Sequence, residues 1–507
     1  MPQPVQFPAA IEPLVQFIEN TPRSEIVSKT LEKLREGVPI RTMLTASALA
    51  VTRSSDLPPG HHGGPLHPLA GLYAVTKLTE RLHGEEQFLP VVQHVALSNK
   101  HIHDPVTGPY CLLEFAALDA SSASLSRTAD LAADGSGDVV TEAGIEATKA
   151  AFLNACSRGE SHRADHLFLW LWQNIPAIEA FDLLLSIAIP KNALDDHYFI
   201  FPANLWRALE IYGHEHLAVL MRPAVKYVAR FPNHRAVPDI EALIEDHGLL
   251  KRVLRQRTGD DETATIGATG EAIGRVERYN EIPKLLAQAL VDGLSLEGAG
   301  EALSIGAAAL FLRSQTGNPM DVHLHTSVNL RRYLLRLDGL SLRNKLLILF
   351  MWHTGPEVMS TQYRMMPAPQ PDMAAVAALP VRSQEDLLEA ITQSIYSQPP
   401  TDWSQVTNLG KMIAVPEVRD TVNLAQQYVN LGYSAEVLMK RLGEIVCHDN
   451  FTEMHAFKHH QAIVEEFANT REPWRWMHLV CGVQAAAISF GKNMEVYEAA
   501  LDLMHAA

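Results

Sequence analysis

LDDHYFIFPANLWRAL (194–209) can be laid over PMDVHLHTSVNLRRYL (319–334) so that PANLWRAL falls on SVNLRRYL. Each stretch opens with a short polar segment holding aspartate and histidine, then runs into apolar residues at helical spacing. The same order of helix, histidine-bearing loop and helix occurs twice more. RTMLTASALAVTRSSDLPPGHHGGPLHPLAGLYAV (41–75) has it near the start, and LMKRLGEIVCHDNFTEMHAFKHHQAIVEEF (438–467) near the end. Diverged helical pairs account for this, each burying its apolar stripe against its neighbours. The interval between the two matching loops, about 125 residues, is too long for a TPR, ankyrin or HEAT unit. The pattern predicts an all-α, multi-helix array of diverged helical-pair repeats with histidine-bearing loops, built by duplication of a multi-helix unit rather than as an extended solenoid.

Further out, AEVLMKRLGEIV (435–446), EALSIGAAALFLRSQ (301–315) and AIEAFDLLLSIAI (177–189) also carry apolar residues at i, i+3, i+4 and i+7. YCLLEFAALDA (110–120) is the best strand candidate, and a weak one. Polar or proline-rich breaks at 121–140, 256–270 and 364–382 separate four helical units, 1–120, 141–255, 271–363 and 383–507. GATGEAIGR (267–275) follows no strand and reads as linker.

At 507 residues the chain is too long for one growing core. Its formal net charge of −16, with no basic run beyond LRRYLLR (330–336), argues against a nucleic-acid or anionic-membrane partner. No basic segment leads into an apolar run at the N-terminus, and NKLLILFMWHTG (344–355) is too short to span a bilayer. Cys111, Cys156, Cys447 and Cys481 form no CxxC pair, so neither a disulfide framework nor a zinc ribbon is expected. A cytoplasmic protein is the expectation.

Chemistry concentrates in the histidine loops. In CHDNFTEMHAFKHHQ (447–461), His448, His455 and His459 share one stripe if the helix is unbroken, within about 20° at 100° per residue. His455 and His459 form an i,i+4 pair able to share one metal ion, with Asp449 and Glu453 as ligands or orienting partners. A helix start near Asp449 or Asn450 would instead take His448 off that face. His460 and Lys458 fall on other faces and are expected in solvent. In PPGHHGGPLHP (58–68) a rigid loop and helix start present His61, His62 and His67. In DVHLHTS (321–327), an extended approach would point His323 and His325 the same way, with Asp321 as an N-cap.

In LDDHYF (194–199), His197 lies beside two carboxylates that could fix its tautomer for general-base work. His353 reads as a charged C-cap, and KHIHD (100–104) and GHEHL (213–217) as exposed. The metal candidates are thus His62, His67, His323, His325, Glu453, His455 and His459, and the candidates for catalysis His62, His197 and His323. Each could equally be an ordinary capping or packing histidine. No GxGxxG after a strand, P-loop, GxSxG elbow or HExxH is present, and Cys447 beside His448 does not make a nucleophile–base dyad.

HHGGPLHPLAGLYAV (61–75), DDHYFIFPANLWRALEIYG (195–213) and HLHTSVNLRRYLLRLDGLSLRNKLLILFMWHTGPE (323–357) together resemble the questin oxidase-like family. Its mostly helical members carry a histidine-rich loop running into an LLALYAL-type helix, then an H-x-x-T-S-x-x-L segment, a helix and a Gly-Pro-Glu-like end. The resemblance covers about a quarter of the chain. It implies Baeyer–Villiger oxygenation, a monooxygenase reaction that cleaves a polyketide-like aromatic ketone, with NADPH as the reduced nicotinamide. The matching residues are His61, His62, His67, His197, His323, Thr326 and Ser327. GGP interrupts the first histidine loop here, and HDNFTEMHAFKHH has no counterpart.

The leading expectation is an oxidoreductase whose histidine loops converge on an interior pocket and hold iron or another first-row metal, acting on a small-molecule substrate. A metal-dependent hydrolase with zinc-bound water is the alternative, and a non-enzymatic helical-repeat interaction scaffold the third. A homo-oligomer is left open.

Overall fold

The computed structural model describes residues 3–58, 63–114, 141–213, 215–232, 237–314, 319–366, 371–398, 418–448, 453–489 and 494–506. These form twenty-four α-helices and six short 3-10 turns. Two isolated bridges, Pro4 with Leu113 and Ser314 with Met365, are the β pairings among the described residues. The strand candidate at 110–120 thus supplies one bridging residue, and its part beyond Glu114 lies outside the described residues, as does the break at 121–140. No described helix is long and apolar enough to cross a membrane.

Helix starts follow local chemistry. The side chains of Thr141, Ser295, Ser341, Ser383 and Ser434 each accept from the backbone N–H three residues on, satisfying a donor that has no partner inside its helix. One expected linker is a helix. GATGEAIGR belongs to Thr263–Gly274, which packs closely along Leu296–Arg313. A Cβ at Gly270 would come within 2.7 Å of Ile305, and one at Gly306 within 2.2 Å of Ile273. Glycine here sets a close helix–helix approach, and that use outweighs its low helix propensity.

Four helices, one from each sequence unit, frame the middle of the molecule: Leu66–Thr79, His197–Tyr212, His323–Arg336 and His455–Asn469. The first packs on the second and fourth, and the third on the second and fourth. Ion pairs join the last three about three turns below their N-termini, and Tyr73 of the first donates to Glu465 at 2.9 Å. Arg207 and Arg332, the aligned arginines of the two matching stretches, pair with the adjacent carboxylates Glu465 and Glu466. Asn329 accepts from Arg207 at 2.7 Å and donates to Glu466 at 2.8 Å. Burial alone would raise the Glu466 carboxyl, but Arg332, His478, Ser304 and Asn329 outweigh it and hold it at about 2. Breaking such a buried pair costs about 3–5 kcal/mol, because the remaining charge is stranded. The helix starts are thereby held in register.

Candidate metal centre

Each of the four framing helices brings a histidine in its first turn to the same point. His197, His323 and His455 are the first residues of their helices, and His67 is the second residue of Leu66–Thr79. All four are buried, none more than 4% exposed. Around the ring, centroids are 5.0 Å apart for His67 and His197, 5.1 Å for His197 and His323, and 5.0 Å for His323 and His455. The circuit closes at 5.0 Å between His455 and His67. Nε2 of His67 lies 3.2 Å from Nε2 of His197, and Nε2 of His455 lies 3.0 Å from Nε2 of His323. One ligand atom each from His67, His197 and His455 falls within a 4.8 Å set.

The other ring nitrogens fix the tautomers. Nδ1 of His197 is 2.7 Å from Asp195, and Nδ1 of His323 is 3.3 Å from Asp196. Nδ1 of His67 is 3.1 Å from Glu453 and 3.2 Å from the Gly64 carbonyl. The Gly64 carbonyl and the Asp195 carboxylate only accept, so Nδ1 of His67 and Nδ1 of His197 donate and leave Nε2 a lone pair. Asp195 also accepts from its own helix's first N–H at 2.8 Å and from the Tyr227 hydroxyl at 2.9 Å. It caps the helix and orients its histidine at once.

The lone pairs of His67 and His197, facing each other at 3.2 Å, repel unless a cation lies between them. A proton is a poor candidate. Burial pushes His67 and His455 well below the ordinary imidazole range and His323 to about 3. A divalent first-row ion fits better. With metal–nitrogen bonds of about 2.1 Å, neighbouring ligand atoms are about 3.0 Å apart at a right angle and about 3.4 Å apart in a tetrahedron. Imidazoles backed by carboxylates are the usual outer arrangement of such ions.

Backbone conformation points the same way. Glu453 and Met454, neither a glycine, both take left-handed φ, 49° and 69°. That turns the chain so that Glu453 reaches His67 while His455 starts a helix. Two successive strained residues of this kind persist where the surroundings enforce them, and they cluster at functional sites.

Several expectations need correction. The last histidine helix begins at His455, not near Asp449 or Asn450, which lie outside the described residues along with His61 and His62. His448 is off the stripe and stacks on Tyr497, centroids 3.9 Å apart. His455 and His459 do not share a centre, nor do His323 and His325. HLHTS is helical rather than extended, so His325 turns away from His323. His325 and His459 instead meet each other at 3.4 Å and form a second cluster with His478 and Phe311. His460 and Lys458 are buried, at 3% and 5% exposed, not in solvent. His67 is likewise core, packed edge-on against Phe201, rather than a loop residue with little packing. Asp321 is a partner of Arg364, not an N-cap. His353 is held neutral by burial, at about 4, and His101 is buried near Glu453.

Residue reasoning gave no role to Glu357, Tyr227, Lys458 or Gly355. The nearest signal for two of them was the Gly-Pro-Glu end. Glu357 stands with Asp196 and His323, and with Asp195 and His197, in two further sets able to hold a cation. Burial raises the carboxyls of Asp196 and Glu357; a hydrogen bond with Glu357 lowers Asp196 while the charge of Asp195 raises it, and the charges of Asp196 and Asp195 raise Glu357 further. Gly355 lies so close that a Cβ would sit 1.3 Å from Asp196 Oδ1. Gly355→Ala is therefore expected to push Asp196 off His323. Metal affinity should fall about 10–100-fold, as for loss of an orienting partner, and stability by about 1–3 kcal/mol from the forced displacement. Calorimetric metal titration and thermal melting read the two effects.

Comparison of the chain with family models, with curated proteins and with solved structures gives no match.

Proposed function

We propose that the protein is an oxygenase-type oxidoreductase that holds iron, or another first-row metal, on His67, His197, His323 and His455. The observation that carries this reading is the pair of opposed Nε2 lone pairs of His67 and His197 at 3.2 Å, with Asp195 and Glu453 behind the imidazoles and the Nε2 atoms of His323 and His455 3.0 Å apart beside them. An all-imidazole donor set suits iron, copper, nickel or zinc, and the metal when bound supplies Lewis-acid and redox chemistry.

The chain's own residues do the rest. Asp195 and the Gly64 carbonyl keep the tautomers of His197 and His67 fixed, and Asp196 with Glu357 can hold a proton beside His323. A cavity of about 230 Å³, bordered by Leu66, Lys226, Tyr227, Arg230 and Phe231, gives a small organic molecule room beside the centre. The Tyr227 hydroxyl joins that cavity to His197 through Asp195. NADPH as electron donor and an aromatic ketone as substrate rest on the family resemblance alone.

Metal analysis of protein purified without an affinity tag tests the reading. Coloured protein with near-stoichiometric iron supports it. Colourless protein with stoichiometric zinc favours a metal-dependent hydrolase on the same ligands, and metal-free protein that takes up none on reconstitution favours an interaction scaffold.

A further inference from the structure

Lys458 has no counterpart in this scheme. It lies one turn into the helix His455–Asn469, immediately above the centre, and is 5% exposed. Its Nζ is sealed from solvent and makes no hydrogen bond among the described residues. Glu453, the nearest candidate partner, is turned to His67 instead, at 3.1 Å. Yet the lysine follows His455 by one turn on the same helix, and its charge lowers His67, His323 and His455, so the amine lies within electrostatic reach of the centre. A buried ammonium without a partner is costly, which is why burial lowers Lys458 to about 7, and beside a metal ion the cost would be greater. Both costs fall if a negative atom lies between lysine and metal.

We propose that Lys458 makes the imidazole centre an anion-accepting site, taking a small ligand with a single negative oxygen or nitrogen atom that bridges the metal position and the lysine. This rests on the metal reading above. It gives the open side of the centre a charge preference: anionic ligands over neutral ones of equal size. Methionine is close to lysine in length and carries no charge. Lys458→Met therefore removes an unpaired buried ammonium without opening a cavity, and the fold should tolerate it.

The test uses full-length protein loaded with cobalt(II), titrated with azide and, separately, with neutral imidazole, following the visible spectrum. Lys458→Met should retain its cobalt and bind azide at least about tenfold more weakly, with imidazole affinity nearly unchanged, because only the anion loses a charge partner. Lys458→Arg, which keeps the charge, should hold azide affinity to within about threefold. Equal azide affinity in wild type and Lys458→Met overturns the anion site and leaves the metal centre standing. Loss of cobalt from Lys458→Met with the fold intact places the lysine in holding the centre together, which also overturns the anion role. Wild-type protein that takes up no cobalt overturns the metal reading, and the anion site with it.

Discussion

Acidification is expected to unfold the metal-free protein in a single steep transition centred at about pH 5. Burial depresses ten imidazoles. His94, His353, His448 and His478 lie at about 4 and His323 and His459 at about 3, with His67, His325, His455 and His460 well below their ordinary range. In the unfolded chain each takes a proton near pH 6.5, whereas in the fold it refuses one until the pH is well below that. Stability from these groups is therefore present above about pH 6.5 and lost as pH falls toward their folded values.

Four buried carboxyls, Asp165, Asp196, Glu357 and Glu453, are raised and act in the opposite sense. Their contribution is fully present below the ordinary carboxyl range and lost as pH rises through their folded values. Ten imidazoles less four carboxyls leaves a net difference of six protons. At about 1.4 kcal/mol per proton per pH unit, that is a slope of about 8 kcal/mol per unit. A protein of ordinary stability, about 5–15 kcal/mol, does not survive two such units. Helical circular dichroism against pH measures the transition. An unchanged signal down to pH 4 would show that the buried imidazoles accept protons without unfolding.

Periodicity alone was enough for the all-α class, because apolar stripes at 3.6 spacing recur in almost every segment. The histidine loops were legible too, since His67, His197, His323 and His455 each stand where a polar loop meets a helical stripe. What the sequence withheld was which histidines meet. His323 and His325 are two residues apart, and so belong together on a strand but on different sides of a helix. His455 and His459 share a helix face, yet that face is long enough to serve two clusters one turn apart. His460 and Lys458 were expected in solvent because amphipathic reasoning grants every helix a wet side. The first turns of His455–Asn469 have none, because the helix is covered by Leu66–Thr79, His323–Arg336, Ala435–Val446 and Trp476–Ser489. Glu453 and His67 are neighbours only through the packing of Leu66–Thr79 on His455–Asn469, which no local pattern encodes. Glycine misled for a related reason. GATGEAIGR has the composition of a linker, but its glycines are there to let a neighbouring helix approach.

Metal binding separates the two histidine clusters, and the expected result is a sharp contrast along one helix. His455→Ala should abolish stoichiometric metal, whereas His459→Ala and His460→Ala should keep it. His455 puts its Nε2 3.0 Å from that of His323 and its ring 5.0 Å from that of His67, so its loss removes one side of the four-imidazole circuit. His459 faces His325 and Phe311 instead, with no carboxylate fixing the pair's tautomers, and the cluster they form with His478 is not among the sets of ligand atoms close enough to hold an ion. Loss of His459 or His460 leaves a cavity and costs stability of about 1–3 kcal/mol, which thermal melting would register without a change in metal content. Asp195→Asn should fall between the extremes. An amide can still accept from the Nδ1 of His197, but it no longer supplies the charge that raises imidazole basicity, so affinity should drop about 10–100-fold with the fold retained. Equal metal content in the His455, His459 and His460 variants would mean that the centre is not where these four helix starts meet. In that case the opposed Nε2 atoms would have to share protons after all, and the acid transition would shift to lower pH because the fold would already hold some of the protons it is expected to refuse.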